Sequence, residues 1–363
     1  MTKGKDTILL IDDGYKDIIE SLAMPAKSNY QLKMEGAASV ESGIEYFVKN
    51  QDCIGAILLD LSFTPGNYEG VEGIIKIKAI NKLVPIIILT GGDTADELRK
   101  AVECWQRGAH HYILKQKFDI KDLLSIIFRA IQQYNVNEEN ERHSKLKEDF
   151  ISKLPAYNKM LNTTEIIISN MLNGEMMLPP TIEGRVKEFK SFYNKLLSKE
   201  KKEGKISEPF KRITDIAGFR VIFYNATDLE KAVEIIKSSK DFLAIDGSSS
   251  IVADDKTNTF GYRAVHFDLK INPALRLHLK EYEGIDDIPC EIQFKTIFAH
   301  SWSKFHHAFS YKQNGTVALN AETQMMLNED FNVAAKNLED IENQITALCK
   351  KYADATNNFP NGN

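Results

Sequence analysis

Four short apolar runs, separated by amphipathic helical patterns, occupy the first third of the chain. The runs are residues 7–11, 53–59, 84–89 and 111–114, and the helical patterns include 40–49, 69–81 and 94–108. Continuous apolar strands alternating with helices are typical of a parallel sheet that helices cover on both faces. We therefore predict an α/β fold here, with a doubly wound parallel sheet.

Polar side chains follow each predicted strand at the point where the strand ends. Asp12 and Asp13 follow the first run, Asp60 the second, Thr90 the third and Lys115 the fourth. Right-handed crossovers bring the carboxyl ends of parallel strands to one edge of the sheet. Three carboxylates converging there would hold a divalent cation, which in turn holds a phosphoryl group. The nearby hydroxyl and ammonium groups would bind the phosphoryl oxygens.

This order of groups resembles the receiver domain of response regulators, over about residues 5–135. The resemblance implies that Asp60 accepts a phosphoryl group, usually from a cognate histidine kinase. It also implies that Asp12, Asp13 and Asp60 bind Mg²⁺, with the Ser62 backbone completing the metal site.

The same resemblance implies a switch made of Thr90, Tyr112 and Lys115. Two features depart from the family pattern: Gln116 stands where proline is usual, and the loop at 62–69 is longer than usual. Neither departure removes a side chain that phosphorylation requires, so we predict that the receiver is phosphorylated. A receiver that has lost phosphorylation but kept its packing is the alternative.

Residues 136–179 form the predicted connector between two domains. The stretch 135–149 is dense in charged and amide side chains, which fits either a solvated linker or exposed helix, or a helix that transmits the receiver state. Residues 151–175 have amphipathic helical spacing, and Pro179 and Pro180 end that region. The predicted domains are 1–135, 136–179, 180–318 and a helical region at 319–356, followed by a disordered tail at 357–363.

The segment Cys290-Glu291-Ile292-Gln293-Phe294-Lys295-Thr296 reads as a β-strand with a polar face. Glu291, Gln293 and Lys295 are two residues apart, so their side chains point to the same side of the strand. A carboxylate beside a cation is suited to holding a metal-bound polyphosphate.

Three upstream segments add groups suited to nucleotides. Residues 181–220 contain 11 Lys+Arg against 6 Asp+Glu, although the chain carries a net charge of −5. Such cations would offset triphosphate charge, and an exposed basic helix is the alternative. Asp215 precedes a small-residue turn and then a strand, within the segment 215–222 that contains Arg220. Tyr262 follows a glycine in a loop where an aromatic ring could stack on a purine.

Together these segments resemble the RelA/SpoT-type alarmone synthetases, especially the small single-domain members. The matching patterns are Arg-x-Lys-x-x-x-Ser-x-x-x-Lys from residue 185, Asp-x-x-Gly-x-Arg from 215, Gly-Tyr-x-x-x-His from 261 and Glu-x-Gln-x-Lys-Thr from 291. The resemblance implies an α+β nucleotidyltransferase-like domain with flanking helices. It also implies transfer of pyrophosphate from ATP to the 3′-hydroxyl of GDP or GTP, with release of AMP.

The resemblance assigns the catalytic groups residue by residue. Asp215 and Glu291 would bind Mg²⁺, with Glu291 also a candidate general base, and Lys187 and Lys195 would neutralise developing charge. The residues implied for ATP are Arg185 and Arg220, on the two faces of adenine, with Lys187 and Ser191. Those implied for the acceptor nucleotide are Tyr262, His266, Gln293 and Lys295.

Two alternatives stay open. Phe260 stands where the family has asparagine and Lys256 lies two positions early, so an adenine nucleotide or the tRNA 3′ end is an alternative acceptor. The other is a receiver-gated binding protein without catalysis. His300, His306 and His307 are poorly spaced for zinc on one helix. No hydrolase signature was found, so synthesis alone is predicted.

The remaining expectations concern location and assembly. Four scattered cysteines suit a reducing cytoplasm, and we expect neither a signal peptide nor a membrane span. The negative net charge argues against general coating of nucleic acid. Residues 320–353 have apolar side chains at helical spacing, for core packing or contact within a homo-oligomer.

Overall fold

Two compact units, Met1–Glu148 and Asp149–Asn363, make up the computed structural model of this protein. The structure describes residues 5–61, 63, 69–91, 95–116, 119–245, 254–255, 264–272, 274, 282–285, 287–313 and 321–357. In that part of the chain, no helix combines the length and apolar character needed to cross a membrane.

The N-terminal unit is built on a five-stranded parallel sheet of order β2-β1-β3-β4-β5. Its strands are β1 (Thr7–Ile11), β2 (Lys33–Ala37), β3 (Ile54–Asp60), β4 (Ile86–Thr90) and β5 (His111–Leu114). The helices are α1 (Tyr15–Tyr30), α2 (Val40–Lys49), α3 (Glu69–Ile80), α4 (Ala95–Gln106) and the first part of α5 (Ile120–Leu172). This order is the flavodoxin-like one, so the predicted fold class is confirmed.

Alternate side chains of the central strands enter two separate apolar clusters, one on each face of the sheet. Leu9, Ile57 and Ile86 lie in one cluster, whereas Leu58 and Ile87 lie in the other. A strand buried on both faces places every side chain in an apolar cluster, so polar residues do not alternate along it. This explains the continuous apolar runs of the sequence.

The edge strand β2 was not among the predicted strands. Its sequence, KMEGA, is largely accessible to solvent, and only Ala37 is buried. An edge strand with one covered face needs few apolar residues, so its composition resembles that of a loop and does not predict a strand. The predicted strand at 84–89 begins later than expected, at Ile86, and the predicted helices agree with α2, α3 and α4 to within two residues at each end.

The C-terminal unit contains a sheet of order β6-β7-β11-β10-β8 with β9 paired to β10. The strands are β6 (Thr181–Val186), β7 (Ala217–Phe223), β8 (Phe242–Ala244), β9 (Asp254–Asp255), β10 (Val265–Ile271) and β11 (Cys290–Thr296). The helices are α6 (Phe189–Glu203), α7 (Pro209–Arg212), α8 (Ala226–Ser238), α9 (Ile297–Gln313) and α10 (Ala321–Asn357). β7 and β11 are parallel, while β6 and β10 run antiparallel to them.

One face of this sheet is apolar and the other is polar. Phe219, Phe294 and Phe267, on three neighbouring strands, belong to the buried cluster on the apolar face. The residues between them in each strand necessarily point to the opposite face. The sheet therefore presents a platform of polar side chains drawn from four strands.

The connector is helical: α5 runs without interruption from Ile120 to Leu172. The polar stretch 135–149 is therefore helical, which fits both an exposed helix and a helix that transmits the receiver state. The predicted C-terminal helical region corresponds to α10, and residues 358–363 of the expected disordered tail lie outside the described residues.

Candidate active site

Three carboxylates meet at the carboxyl edge of the N-terminal sheet. Asp12 and Asp13 follow β1, and Asp60 ends β3; ligand oxygens from all three lie within 4.8 Å of one another. Asp12 and Asp60 are almost fully buried, with 1% and 4% of their surfaces exposed. The predicted convergence of the strand ends is confirmed for these residues, and the parallel order of β1 and β3 produces it.

Lys115 bridges two of these carboxylates. Its Nζ lies 2.6 Å from Asp12 Oδ2 and 3.1 Å from Asp60 Oδ2. Burial alone would lower the pKa of Lys115, but the bonds and charges of Asp12 and Asp60 outweigh burial and raise it. Lys115 is therefore a permanent cation beside Asp60. Thr90 is the last residue of β4, which lies beside β3 in the sheet, and it is 1% exposed. Tyr112 lies on β5.

The chemistry of this edge suits a hard divalent cation. All three side chains offer carboxylate oxygens, and one lysine does not balance three negative charges. Mg²⁺ prefers oxygen ligands of this kind. Asp12 Oδ1 is already held by the Gly14 N–H at 2.8 Å, which orients the carboxylate.

The polar face of the C-terminal sheet carries most of the residues predicted for the second site. Strand register aligns Arg185, Gly218 and Glu291 in one row across β6, β7 and β11. The next row contains Glu183, Arg220, Gln293 and His266. Residues paired across neighbouring strands point to the same side, so these side chains share one surface.

Asp215 lies just before β7, between two lysines. Lys187 Nζ and Lys195 Nζ, from the end of β6 and from α6, donate to its Oδ2 at 2.5 and 2.7 Å. Burial alone would raise the pKa of Asp215, but the two lysines outweigh burial and hold it below its usual value. Asp215 Oδ1 is buried and has no hydrogen-bond partner among the described residues. A buried carboxylate oxygen without a donor is available to a metal ion.

Glu291 has both carboxylate oxygens engaged. Oε1 lies 3.1 Å from His266 Nδ1, and Oε2 accepts from Gln293 Nε2 at 2.6 Å. Burial tends to raise the pKa of Glu291, but the contacts with His266 and Gln293 outweigh it and lower the pKa. The nearby negative charge of Asp215 tends to raise the pKa of Glu291, so the two carboxylates interact electrostatically. An ionised pair of this kind fits the oxygen preference of Mg²⁺.

Arg185 and Arg220, two of the predicted ATP-binding residues, lie on the polar face of the C-terminal sheet. Arg220 Nη1 is 3.3 Å from Glu183 Oε2, and its Nε is buried without a partner in the described part of the chain. Arg185 and Ser191 are both exposed, on β6 and α6 respectively. Their open surfaces are compatible with ligand contact.

Lys295 is 3% exposed at the end of β11, with its Nζ 3.5 Å from Ser303 Oγ of α9. Burial, with repulsion from Arg220, lowers the pKa of Lys295 to about 8. It lies on the predicted face, and its neighbours include Ser303, Arg220 and Glu291.

Some predicted residues cannot be placed. Tyr262 and Ser62, with Lys256 and Phe260 of the acceptor loop, lie outside the described residues. His306 and His307 lie in α9, but their side chains are outside the described part of the structure.

Sequence reasoning missed two features of the site. It assigned His266 and Gln293 to the acceptor nucleotide, which stays a prediction, and it did not foresee that both residues contact Glu291. Glu291 and Gln293 are two residues apart on one strand, so the sequence alone could have predicted that their side chains are neighbours. His266 gave no such signal, because it reaches Glu291 through an antiparallel pairing across 25 residues.

Comparison with known proteins indicates the family of the C-terminal unit. A family model described as "Region found in RelA / SpoT proteins" matches residues 184–316. The "GTP pyrophosphokinase YwaC" of Bacillus subtilis (strain 168) is 32% identical over 176 residues, covering 47% of this chain and 79% of that protein.

Two solved structures are also similar. Small alarmone synthetase 1 from Bacillus subtilis is 17% identical, with a TM-score of 0.44, over 57% of this chain and 99% of that chain. A response regulator receiver domain protein from Clostridium thermocellum is 26% identical, with a TM-score of 0.31, over 36% of this chain and 97% of that chain. On the evidence of the family region and the YwaC match, this chain belongs to the RelA/SpoT family of pyrophosphokinases.

Proposed function

We propose that this protein is a (p)ppGpp synthetase that transfers pyrophosphate from ATP to the 3′-hydroxyl of GDP or GTP. The observation that carries the proposal is the pair of ionised carboxylates, Asp215 and Glu291, on the cationic and polar face of one sheet. The name of the relative YwaC, a GTP pyrophosphokinase, supports a guanine nucleotide as acceptor.

The proposed reaction is an in-line displacement at the β-phosphorus of ATP. The acceptor 3′-oxygen forms a bond to that phosphorus, and the bond from the phosphorus to the oxygen shared with the α-phosphate breaks. AMP leaves, and the hydroxyl proton passes to Glu291 as general base. Catalysis of phosphoryl transfer depends mainly on positioning and charge stabilisation, which fixed charged side chains supply.

Asp215 and Glu291 are the residues that would hold Mg²⁺. When held there, Mg²⁺ would supply charge neutralisation to the phosphate groups. Lys187 and Lys195 add positive charge at the same place, and they prevent Asp215 from taking up a proton. Arg185 and Arg220 offer guanidinium planes, which stack well on a purine.

We further propose that the N-terminal unit is a receiver that tunes the synthetase. Asp60 would take a phosphoryl group from a histidine kinase, with Asp12 and Asp13 holding Mg²⁺. Lys115 already contacts the Asp60 carboxylate and would pair with the new phosphoryl oxygens. Thr90 lies at the end of the neighbouring strand, where its hydroxyl would complete the contact.

The test is a product assay with ATP radiolabelled at the β-phosphate. GDP, GTP, unlabelled ATP and deacylated tRNA are offered separately, before and after treatment with a small phosphodonor. We expect label on GDP or GTP, at a rate that changes after phosphorylation. Label only on ATP or tRNA would overturn the acceptor assignment, and no label on any acceptor would overturn the synthetase proposal. An unchanged rate, with Asp60 shown to be phosphorylated, would overturn the regulatory part.

A further inference from the structure

An open cavity lies at the amino edge of the N-terminal sheet, at the opposite end of the strands from Asp60. We call it the α3–α4 cavity, because it is lined by the end of α3, the end of α4 and the segments that lead from them into β4 and β5. Its volume is about 420 Å³, which is in the range of pockets that hold small molecules. The cavity is separate from the carboxylates of the carboxyl edge and from the polar face of the C-terminal sheet.

The turn between α4 and β5 forms one wall of the cavity. Gly108, with a φ of +100°, reverses the chain after α4. Its N–H donates to the Trp105 carbonyl oxygen at 2.9 Å, and the Ala109 N–H donates to the Cys104 carbonyl oxygen at 2.9 Å. Helices commonly end in this way at a glycine. A Cβ at Gly108 would lie 3.3 Å from Lys78 Cε, so the glycine also leaves room for the lysine stem beside the turn.

The lining of the cavity is cationic, and it includes no carboxylate among the described residues. Lys78 Nζ donates to the carbonyl oxygens of Lys82 and Val84 at 3.0 and 2.7 Å. Burial that no carboxylate offsets lowers the pKa of Lys78 to about 8. The Lys82 side chain is exposed at the rim. An anion in the cavity would therefore meet two ammonium groups that no described side chain neutralises.

Arg107 and His110 add further donors to the same wall. Arg107 Nη2 pairs with Glu103 Oε1 at 2.5 Å, which leaves most of the guanidinium N–H groups for a ligand. The Ile86 N–H donates to His110 Nδ1 at 3.4 Å, so Nε2 carries the proton of this ring. Burial, and then the charge of Lys78, lower the pKa of His110 to about 4, so the ring is a neutral donor at neutral pH. Guanidinium, ammonium and imidazole N–H groups are typical partners of phosphate oxygens.

Trp105 supplies an aromatic face to the cavity. It is 69% exposed at the end of α4, although burying such a large ring would be favourable. Bases stack on exposed indole rings, and this stacking tolerates every base because each has a π-face. An aromatic face beside unneutralised cations matches the two parts of a nucleotide, the base and the phosphate. Inorganic phosphate would use only the cations.

We propose that the α3–α4 cavity binds a nucleotide, with the base stacked on Trp105 and the phosphate held by Lys78, Lys82 and Arg107. The proposal goes beyond the synthetase reaction and does not rest on it, because no residue of that reaction lines the cavity. A nucleotide bound there would give the N-terminal unit a second input, separate from phosphorylation of Asp60.

The test uses Trp105 itself as the reporter. The chain contains two tryptophans, so Trp302→Phe leaves Trp105 as the only one. The full chain with Trp302→Phe is titrated with ADP, GDP, adenosine, inorganic phosphate and tetraglutamate, without magnesium. Emission is excited at the red edge of the tryptophan band, where the bases absorb little. Circular dichroism establishes that the variant folds; if it does not, the parent signal minus that of Trp105→Phe gives the same readout.

Lys82→Glu, made in the same background, tests the cationic wall. Lys76→Glu is the matched control, because Lys76 is exposed on α3 and does not line the cavity. We expect ADP and GDP to change the Trp105 emission saturably, with adenosine and inorganic phosphate at least about tenfold weaker, since each lacks one of the two contacts. Lys82→Glu should weaken ADP and GDP by about tenfold or more, and Lys76→Glu by less than about twofold.

Emission that does not change saturably up to millimolar ADP and GDP would overturn the site, as would equal affinities with and without Lys82→Glu. Inorganic phosphate bound as tightly as ADP would overturn the role of Trp105 and with it the nucleotide assignment. Tighter binding of tetraglutamate than of ADP would overturn that assignment in favour of an acidic protein segment. Since the titration involves no turnover, its outcome is independent of whether pyrophosphate transfer occurs.

Discussion

In the N-terminal unit three carboxylates have oxygens within 4.8 Å of one another and two of them share one lysine, whereas in the C-terminal unit each carboxylate has its own partners. Asp215 is held by two lysines, and Glu291 by His266 and Gln293. The first arrangement has excess negative charge and is suited to gaining a cation. The second is nearly balanced, which suits a site where polyphosphate and metal arrive together.

The two sites also differ in how the backbone builds them. At the N-terminal edge, side chains converge because parallel strands end together. On the C-terminal sheet they converge because alternate residues of adjacent strands share a face. The N-terminal site depends on the loops that follow the strands, whereas the C-terminal site depends on the register between strands. Substitutions should therefore affect the two sites differently.

The largest expected effect is on catalysis at the C-terminal face. Glu291→Gln keeps the shape of the side chain but removes the charge that binds metal and accepts the proton. We expect the rate of pyrophosphate transfer to fall by about 100-fold or more. Glu234→Gln on α8, where the side chain is exposed, is the matched control and should keep the parent rate. Near-normal transfer by Glu291→Gln would remove Glu291 from the chemistry.

The second effect concerns the N-terminal edge. Asp60→Asn should abolish uptake of a phosphoryl group from acetyl phosphate and Mg²⁺, because the amide is a poor nucleophile. Intact mass spectrometry measures the adduct. Asp17→Asn, at an exposed position of α1, is the control and should keep uptake at the parent level. An adduct on Asp60→Asn equal to that of the parent would mean that another residue is the acceptor.

A third change tests the edge geometry through packing alone. A Cβ at Gly70, in the first turn of α3, would overlap the carbonyl oxygen of Asp60. Gly70→Ala should therefore destabilise the N-terminal unit by about 1–3 kcal/mol and slow phosphoryl uptake. Urea unfolding gives the free-energy change. Gly91→Ala has no atom within 4 Å of the new methyl and is the control. Equal stability of the two variants would show that α3 shifts freely.

The last effect is a pH dependence of stability, which leaves the stability at neutral pH unchanged. Burial and Arg220 lower the pKa of Lys295 from 10.5 to about 8 in the folded chain. Between pH 8 and 10.5 the unfolded chain then binds more protons, so the free energy of unfolding rises with pH in that window. Lys295→Met should reduce this rise by up to about 3 kcal/mol, because each pKa unit corresponds to about 1.4 kcal/mol. Denaturant unfolding at several pH values measures it.

The rise should shrink rather than vanish, because burial also lowers the pKa of Lys78 to about 8. Lys78→Met is the matched change in the N-terminal unit, where Lys78 donates to the carbonyl oxygens of Lys82 and Val84. A Lys295→Met profile parallel to that of the parent would show that Lys295 keeps its ordinary pKa.

Local sequence patterns determined the elements and the faces of this protein. The apolar runs of β1, β3 and β4 and the alternation of Glu291, Gln293 and Lys295 were readable because strand geometry is periodic. The position of Asp60 at a strand end was readable because parallel sheets gather such ends. Four motif matches were enough to indicate the family.

Only the tertiary structure decided which side chains meet. Lys187 and Lys195 reach Asp215 across 28 and 20 residues, and His266 reaches Glu291 through antiparallel pairing. The edge strand β2 and the buried position of His300 were equally unreadable from sequence. Such contacts depend on strand register and loop path, which are set by the packing of the whole unit rather than by any local period.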